Sequence, residues 1–140
     1  MNSNSPRMGI DLGGTKIEAL VLDGGGAELV RERVATPSGD YPATLQALAD
    51  LVGRLEARVG CRCRVGIGMP GAFSLVTGRV KNSNSVCLNG QPLHQDLETL
   101  LQRPLRFAND AHAVRMYTLA KCLYRLHWTK VQCQFTTLLV

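Results

Sequence analysis

Residues 8–30, "MGIDLGGTKIEALVLDGGGAELV", decide how this chain is to be read. Two glycines and a lysine stand between two apolar runs. Residues 8–12 and 16–23 alternate apolar positions around a Gly13-Gly14 turn, the period of strands. "DGGGAE" makes a second turn, and residues 27–36, "AELVRERVAT", alternate once more. The expectation is a three-stranded antiparallel meander.

A Gly-Gly turn lets the backbone approach a ligand, because no Cβ stands in the way. Successive N–H groups in such a turn form a concave nest suited to phosphate oxygens. Thr15 adds a hydroxyl and Lys16 a cation. Asp11, ending the first strand, can hold a hydrated Mg²⁺ that bridges the phosphates of ATP. A glycine hairpin with a surface lysine is the plain alternative, but "DLGGTK" between two apolar strands favours a phosphate site. It is not a P-loop, since G-x-x-x-x-G-K is absent and a strand follows where a helix would be needed.

Working outward, Leu45, Leu48, Val52, Leu55 and Val59 recur at three- and four-residue steps from Tyr41 to Val59. That spacing predicts an amphipathic helix over one face of the sheet, ended by Gly60. "CRVGIGMPG" (63–71) is a short apolar strand running into a glycine-proline loop. "QPLHQDLETLLQRP" (91–104) places Leu93, Leu97, Leu100 and Leu101 on one helical face and stops at Pro104. "LRFAND" (105–110) is another strand. The order β-β-β-α-β-α-β gives an α/β fold in which the later strands pair in parallel. Loops then gather at the carboxyl ends of those strands, where ligands bind.

Composition narrows the class. The 140 residues are 45% hydrophobic, enough for one ordinary domain with a real core. No apolar run is long enough to span a bilayer, so no membrane is expected as a partner. Five cysteines, an odd number, read as reduced thiols of a cytoplasmic protein, and Cys61 and Cys63 lack the second pair of a zinc site. The net charge of +5 is uneven: residues 111–140 carry Arg115, Lys121, Arg125 and Lys130 with no acid, no glycine and no proline. These charges do not form one helical stripe, so no nucleic acid is expected beyond weak nonspecific contact.

"GIDLGGTK", "GIGMPG", "KNSNSVCLNGQPLHQDL" and "LRFANDA" follow one another in the order and spacing of the ROK family of sugar kinases and sugar-responsive repressors. The stretch "VKNSNSVCLNGQPL" resembles the fructokinase (manno-fructokinase) branch. The resemblance covers residues 8 to about 112. It implies an actin-like, ribonuclease-H-like fold binding ATP, Mg²⁺ and a hexose between two domains, and a homodimer in the parent family. Gly9, Ile10, Asp11, Leu12, Gly13, Gly14, Thr15 and Lys16 would then be the first nucleotide-binding segment. Gly68, Pro70 and Gly71 would shape the sugar-side wall, and Asn84, Asn89 and Gly90 would lie along the sugar. Asn109 would orient the sugar beside Asp110, the catalytic base. An Asn-Asp pair at a strand end is otherwise a helix cap.

Other family features have no counterpart in these residues. A second glycine-rich phosphate loop, an adenosine pocket and a cysteine-rich structural zinc site would follow the matched stretch, and zinc is therefore not expected. Cys87 stands where related kinases often carry an aromatic. With the compositional break at residue 111, this suggests a disordered residue 1–7 arm, a domain over 8–112 and a truncated or frameshifted tail over 113–140. Leu119, Leu123 and Leu126 do recur on a helical face, so a genuine capping helix is the alternative reading of the tail. The expectation is an inactive form of a fructose 6-kinase lineage, alternatively a non-catalytic sugar- or nucleotide-binding remnant. A repressor is disfavoured, because no helix-turn-helix precedes Met8.

Overall fold

The computed structural model describes residues 5–69 and 71–109. Strands β1 (Arg7–Leu12), β2 (Lys16–Leu22) and β3 (Glu28–Ala35) form the meander read from the sequence. β1 pairs antiparallel with β2, from Arg7 opposite Leu22 to Leu12 opposite Ile17. β2 pairs antiparallel with β3, with a bulge between Val21 and Leu22. Helix α1 (Tyr41–Val59) crosses to β4 (Arg64–Met69), and α2 (Leu93–Leu101) leads to β7 (Arg106–Asn109). β4 lies parallel to β1 and β7 parallel to β4, giving the order β3-β2-β1-β4-β7.

Each element has a local cause. The Asp40 carboxylate accepts from the Ala43 N–H at 3.0 Å and caps α1, and Pro42 suits its first turn, where no N–H partner is needed. Gly60 ends the helix at φ +77°, its N–H donating to the Glu56 carbonyl. One core forms: Ile10 and Leu12 of β1, Ile67 of β4, Leu48 and Leu55 of α1, and Leu93 and Leu97 of α2 are all essentially inaccessible. Full burial of such a side chain contributes about 1.5–3 kcal/mol, so this layer dominates the stability. Leu20 and Leu22 are buried separately, on the opposite face of β2.

The structure corrects details. Leu51 and Thr44 also belong to the buried face of α1. Leu100 is 46% exposed: the inward row of α2 runs Leu93, Leu97, Leu101 at four-residue steps and leaves Leu100 beside it. α2 ends at Gln102, at φ +53° with its N–H on the Glu98 carbonyl, before Pro104 is reached. Between β4 and α2 the chain adds β5 (Ala72–Phe73) and β6 (Val80–Lys81), a two-rung hairpin, and a single 3-10 turn at Val86–Leu88.

A polar knot ties the end of the sheet away from the parallel strands' carboxyl termini. Arg103 grips both carboxylate oxygens of Glu56, with Nη2 donating to Oε2 at 3.0 Å and Nη1 donating to Oε1. Nη1 also donates to the Cys63 carbonyl at 3.0 Å, and the Cys63 N–H donates to Glu56 Oε1 at 2.8 Å. Burial alone would raise the Glu56 pKa. The hydrogen bonds from Arg103 and Cys63 outweigh it and hold the carboxyl below its usual 4.5. Burial pushes the Cys63 thiol up to about 12, and among the described residues Cys61, Cys63 and Cys87 are free thiols. Among the described residues no helix is long and apolar enough to cross a membrane.

Candidate functional site

The parallel strands β1, β4 and β7 end together, and their register aligns the residues singled out by sequence. Asp11 stands opposite Gly68, and Met69 opposite Asn109. The chain therefore leaves β1 into the glycine turn and β4 into the glycine-proline loop as neighbours. β7 brings the Asn109 backbone alongside them. Pro70 and Asp110 lie outside the described residues, as does the tail.

Gly9, Ile10 and Leu12 are buried within β1, with Asp11 half-buried at its end; Gly14, Thr15 and Lys16 are exposed. In the turn the Gly13 N–H donates to the Lys16 carbonyl at 3.0 Å. A Cβ on Gly13 would meet that same oxygen at 2.8 Å, closer than any side chain tolerates. The end of β3 takes the other carbonyls: the Thr36 hydroxyl donates to Gly13 O at 2.8 Å, and the Thr36 N–H donates to Thr15 O at 3.0 Å. The carbonyls of Gly13, Thr15 and Lys16 are thus all bonded within the fold. Among the described residues the N–H groups of Gly14 and Thr15 make no backbone hydrogen bond. Beside exposed Lys16 they are the candidate donors to an anion.

The loop over residues 82–90 crosses between this turn and the β4 loop. Gly71 (φ +102°) lies directly under it: a Cβ there would stand 2.8 Å from the Lys81 carbonyl oxygen and 3.0 Å from the Ser83 backbone. Asn89 is spent on the loop itself, its Oδ1 accepting from the Ser83 N–H at 2.9 Å and its Nδ2 donating to Ser83 O at 3.0 Å. Gly90, at φ +78°, closes the loop, donating to Val80 O and accepting from Arg79 Nη1. Asn84, one of the sugar-side residues in this loop, lines a cleft. That cleft, about 300 Å³, also touches Gly14, Thr36, Ser85 and Cys87.

Sequence reasoning missed Thr36; within the loop, Ser83 is buried and accepts the Ser85 N–H at 3.1 Å. The threonine at the foot of the third strand, directly before Pro37, was the available signal. Mg²⁺ asks of a protein only one or two carboxylates, its other ligands being phosphate oxygens and waters, and Asp11 at the end of β1 is the candidate carboxylate.

Comparison with known proteins places the chain in a family. An N-acetyl-D-glucosamine kinase of Yersinia pestis bv. Antiqua is 43% identical over 104 residues, 74% of this chain and 41% of the relative. The ROK hexokinase of Thermus thermophilus superposes with a TM-score of 0.66 at 34% identity, over 78% of this chain and 36% of that one. A ROK family glucokinase from Streptomyces griseus, in complex with glucose and AMPPNP, gives 0.66 at 30% identity, over 78% and 34%. The chain thus spans roughly a third to two-fifths of the length of these relatives. Its mixed five-stranded α/β sheet is that of the N-terminal domains of ROK and actin-like ATPase proteins. The ROK family model matches residues 7–120, and the chain belongs to the ROK family.

Proposed function

We propose that this chain supplies the sugar-side, first-phosphate-turn portion of an ATP-dependent hexose kinase. The observation that carries the reading is that Gly14, whose N–H like that of Thr15 makes no backbone hydrogen bond among the described residues, lines one cleft with Asn84. Phosphate oxygens would take the two N–H groups with Lys16 as counter-charge, while Asn84 can both donate to and accept from sugar hydroxyls. Magnesium, held through water by Asp11, would neutralise charge on the transferring phosphoryl group. Gly68, Pro70 and Gly71 would form the wall behind the ring, and Asn89 and Gly90 would act by holding the Asn84 loop. Asn109 would orient the sugar for Asp110, which removes the proton from its primary hydroxyl.

Phosphoryl transfer leaves the protein little covalent work, so positioning dominates. A base of this kind contributes ~10²–10⁴-fold. Orienting two bound substrates contributes ~7–11 kcal/mol, the larger share. Residues 111–140 hold no glycine for a second phosphate loop, and the 140 residues by themselves are expected to give no turnover.

Fructose is the proposed acceptor, on the strength of "VKNSNSVCLNGQPL". The 43% identity to an N-acetyl-D-glucosamine kinase favours the N-acetylated sugar as the second reading. A chimera of residues 1–110 with the C-terminal part of a ROK kinase tests both. It is expected to phosphorylate fructose at the 6-hydroxyl, and Asp110→Asn is expected to abolish turnover while sparing sugar binding. A chimera that prefers N-acetylglucosamine would replace the first reading with the second. One that binds sugar yet transfers no phosphate to any hexose would remove both.

A further inference from the structure

We infer that Thr36 is a positioning residue for the phosphate turn, fixing the two peptide planes that carry the Gly14 and Lys16 N–H groups. The inference rests on the phosphate-binding reading of residues 13–16 and adds a residue that the glycine motif does not contain. A three-residue turn between strands can flip its peptide planes, and each flip would present a carbonyl oxygen to an anion where an N–H is required. Among the carbonyls of residues 13–16, two are held from outside the turn, both by Thr36. Its hydroxyl donates to Gly13 O at 2.8 Å and its N–H to Thr15 O at 3.0 Å. A third, on Lys16, is held within the turn by the Gly13 N–H at 3.0 Å.

Holding the Gly13 carbonyl fixes the plane that carries the Gly14 N–H, because the two belong to one peptide unit. The Thr36 hydroxyl therefore governs the first of the two candidate donors. Its backbone N–H, bonded to Thr15 O, governs the plane carrying the Lys16 N–H. The clamp comes from the end of β3, which pairs with β2 over its whole length, so it is carried on a rigid element. Valine matches threonine in shape and removes only the hydroxyl bond; the backbone bond survives in every variant.

The test uses the 140-residue chain and inorganic triphosphate with Mg²⁺ as probe, followed through the amide resonances of Gly14, Thr15 and Lys16. The wild-type chain is expected to bind the probe with shifts centred on Gly14 and Thr15. Thr36→Val is expected to bind about tenfold more weakly, the effect of one lost hydrogen bond in an organised site. Thr36→Ser, which keeps the hydroxyl, is expected to restore the affinity. Amide dispersion and melting temperature check folding, and Thr36→Ala reads the same bond should the valine variant unfold. A general packing role would lower the melting temperature without this Ser-specific rescue of affinity. Equal binding by wild type and Thr36→Val, or equal weakening in Thr36→Ser, overturns the inference and leaves the phosphate reading standing. Absence of triphosphate binding by the wild-type chain overturns the phosphate reading and this inference with it.

Discussion

A Cβ on Gly13 would collide with the Lys16 carbonyl at 2.8 Å, whereas one on Gly14 would meet only the Ser85 hydroxyl at 3.6 Å, an ordinary contact. The two adjacent glycines therefore have different duties: Gly13 lets the turn close, and Gly14 leaves the cleft open. Gly13→Ala is expected to cost about 1–3 kcal/mol by forcing the turn apart. Gly14→Ala is expected to change stability by less than about 0.5 kcal/mol and to weaken phosphate binding all the same. Urea unfolding beside a triphosphate titration separates the two; equal destabilisation would refute the division. The glycine pair was legible in sequence because it stands between two strand-period runs. Thr36 was not, since its role appears only once β2 and β3 fold back on each other. Asn89 was legible as polar loop chemistry, but its commitment to the Ser83 backbone is set by loop closure, which residue type does not encode.

Elements with a sustained period were the readable ones. The meander and α1 repeat their pattern long enough to be seen, and the parallel pairing of β1, β4 and β7 followed from the strand-helix order. The β5–β6 hairpin could not be seen: two residues per strand carry no period, and its rungs depend on the turn bonds from Ser74 N–H to Arg79 O and from Gly78 N–H to Ser74 O. The Glu56–Arg103 knot was equally silent, its partners being 47 residues apart. It joins the end of α1, the start of β4 and the segment after α2, so its loss is felt by three elements at once. Glu56→Gln is expected to cost on the order of 2–3 kcal/mol, since Arg103 would remain with little access to water. The sign with pH follows from the lowered Glu56 pKa. The stabilisation is complete above the unfolded value near 4.5 and is lost as pH falls through the folded one. Thermal melts of wild type and Glu56→Gln are expected to diverge at pH 7 and to draw together as the pH falls below 4.5. Curves that stay parallel down to pH 3 would exclude Glu56 as the titrating group.

At the scale of the molecule, the sheet has one charged flank. β3 pairs only with β2, and its Arg31 and Arg33 meet Glu18 of β2 at 3.0 and 3.2 Å. Exposed pairs like these add about 0–1 kcal/mol, so their weight lies in discouraging strand addition at that flank. The centre of the sheet is different. β1 bonds on one side to β2, which follows it at once, and on the other to β4, which arrives only after α1. During synthesis the meander can zip while β4 is still inside the ribosome, leaving the inner margin of β1 unfilled. Local closure is fast and distant closure slow, so the nascent chain passes through a stage in which this buried central strand is half-paired. Ribosome-stalled chains long enough to expose residues 7–35 but not residues 64–69 outside the exit tunnel are expected to need a chaperone to stay soluble, and chains that expose residues 64–69 as well are expected to shed that need. Equal solubility at both lengths would mean that the meander waits for β4 before it forms.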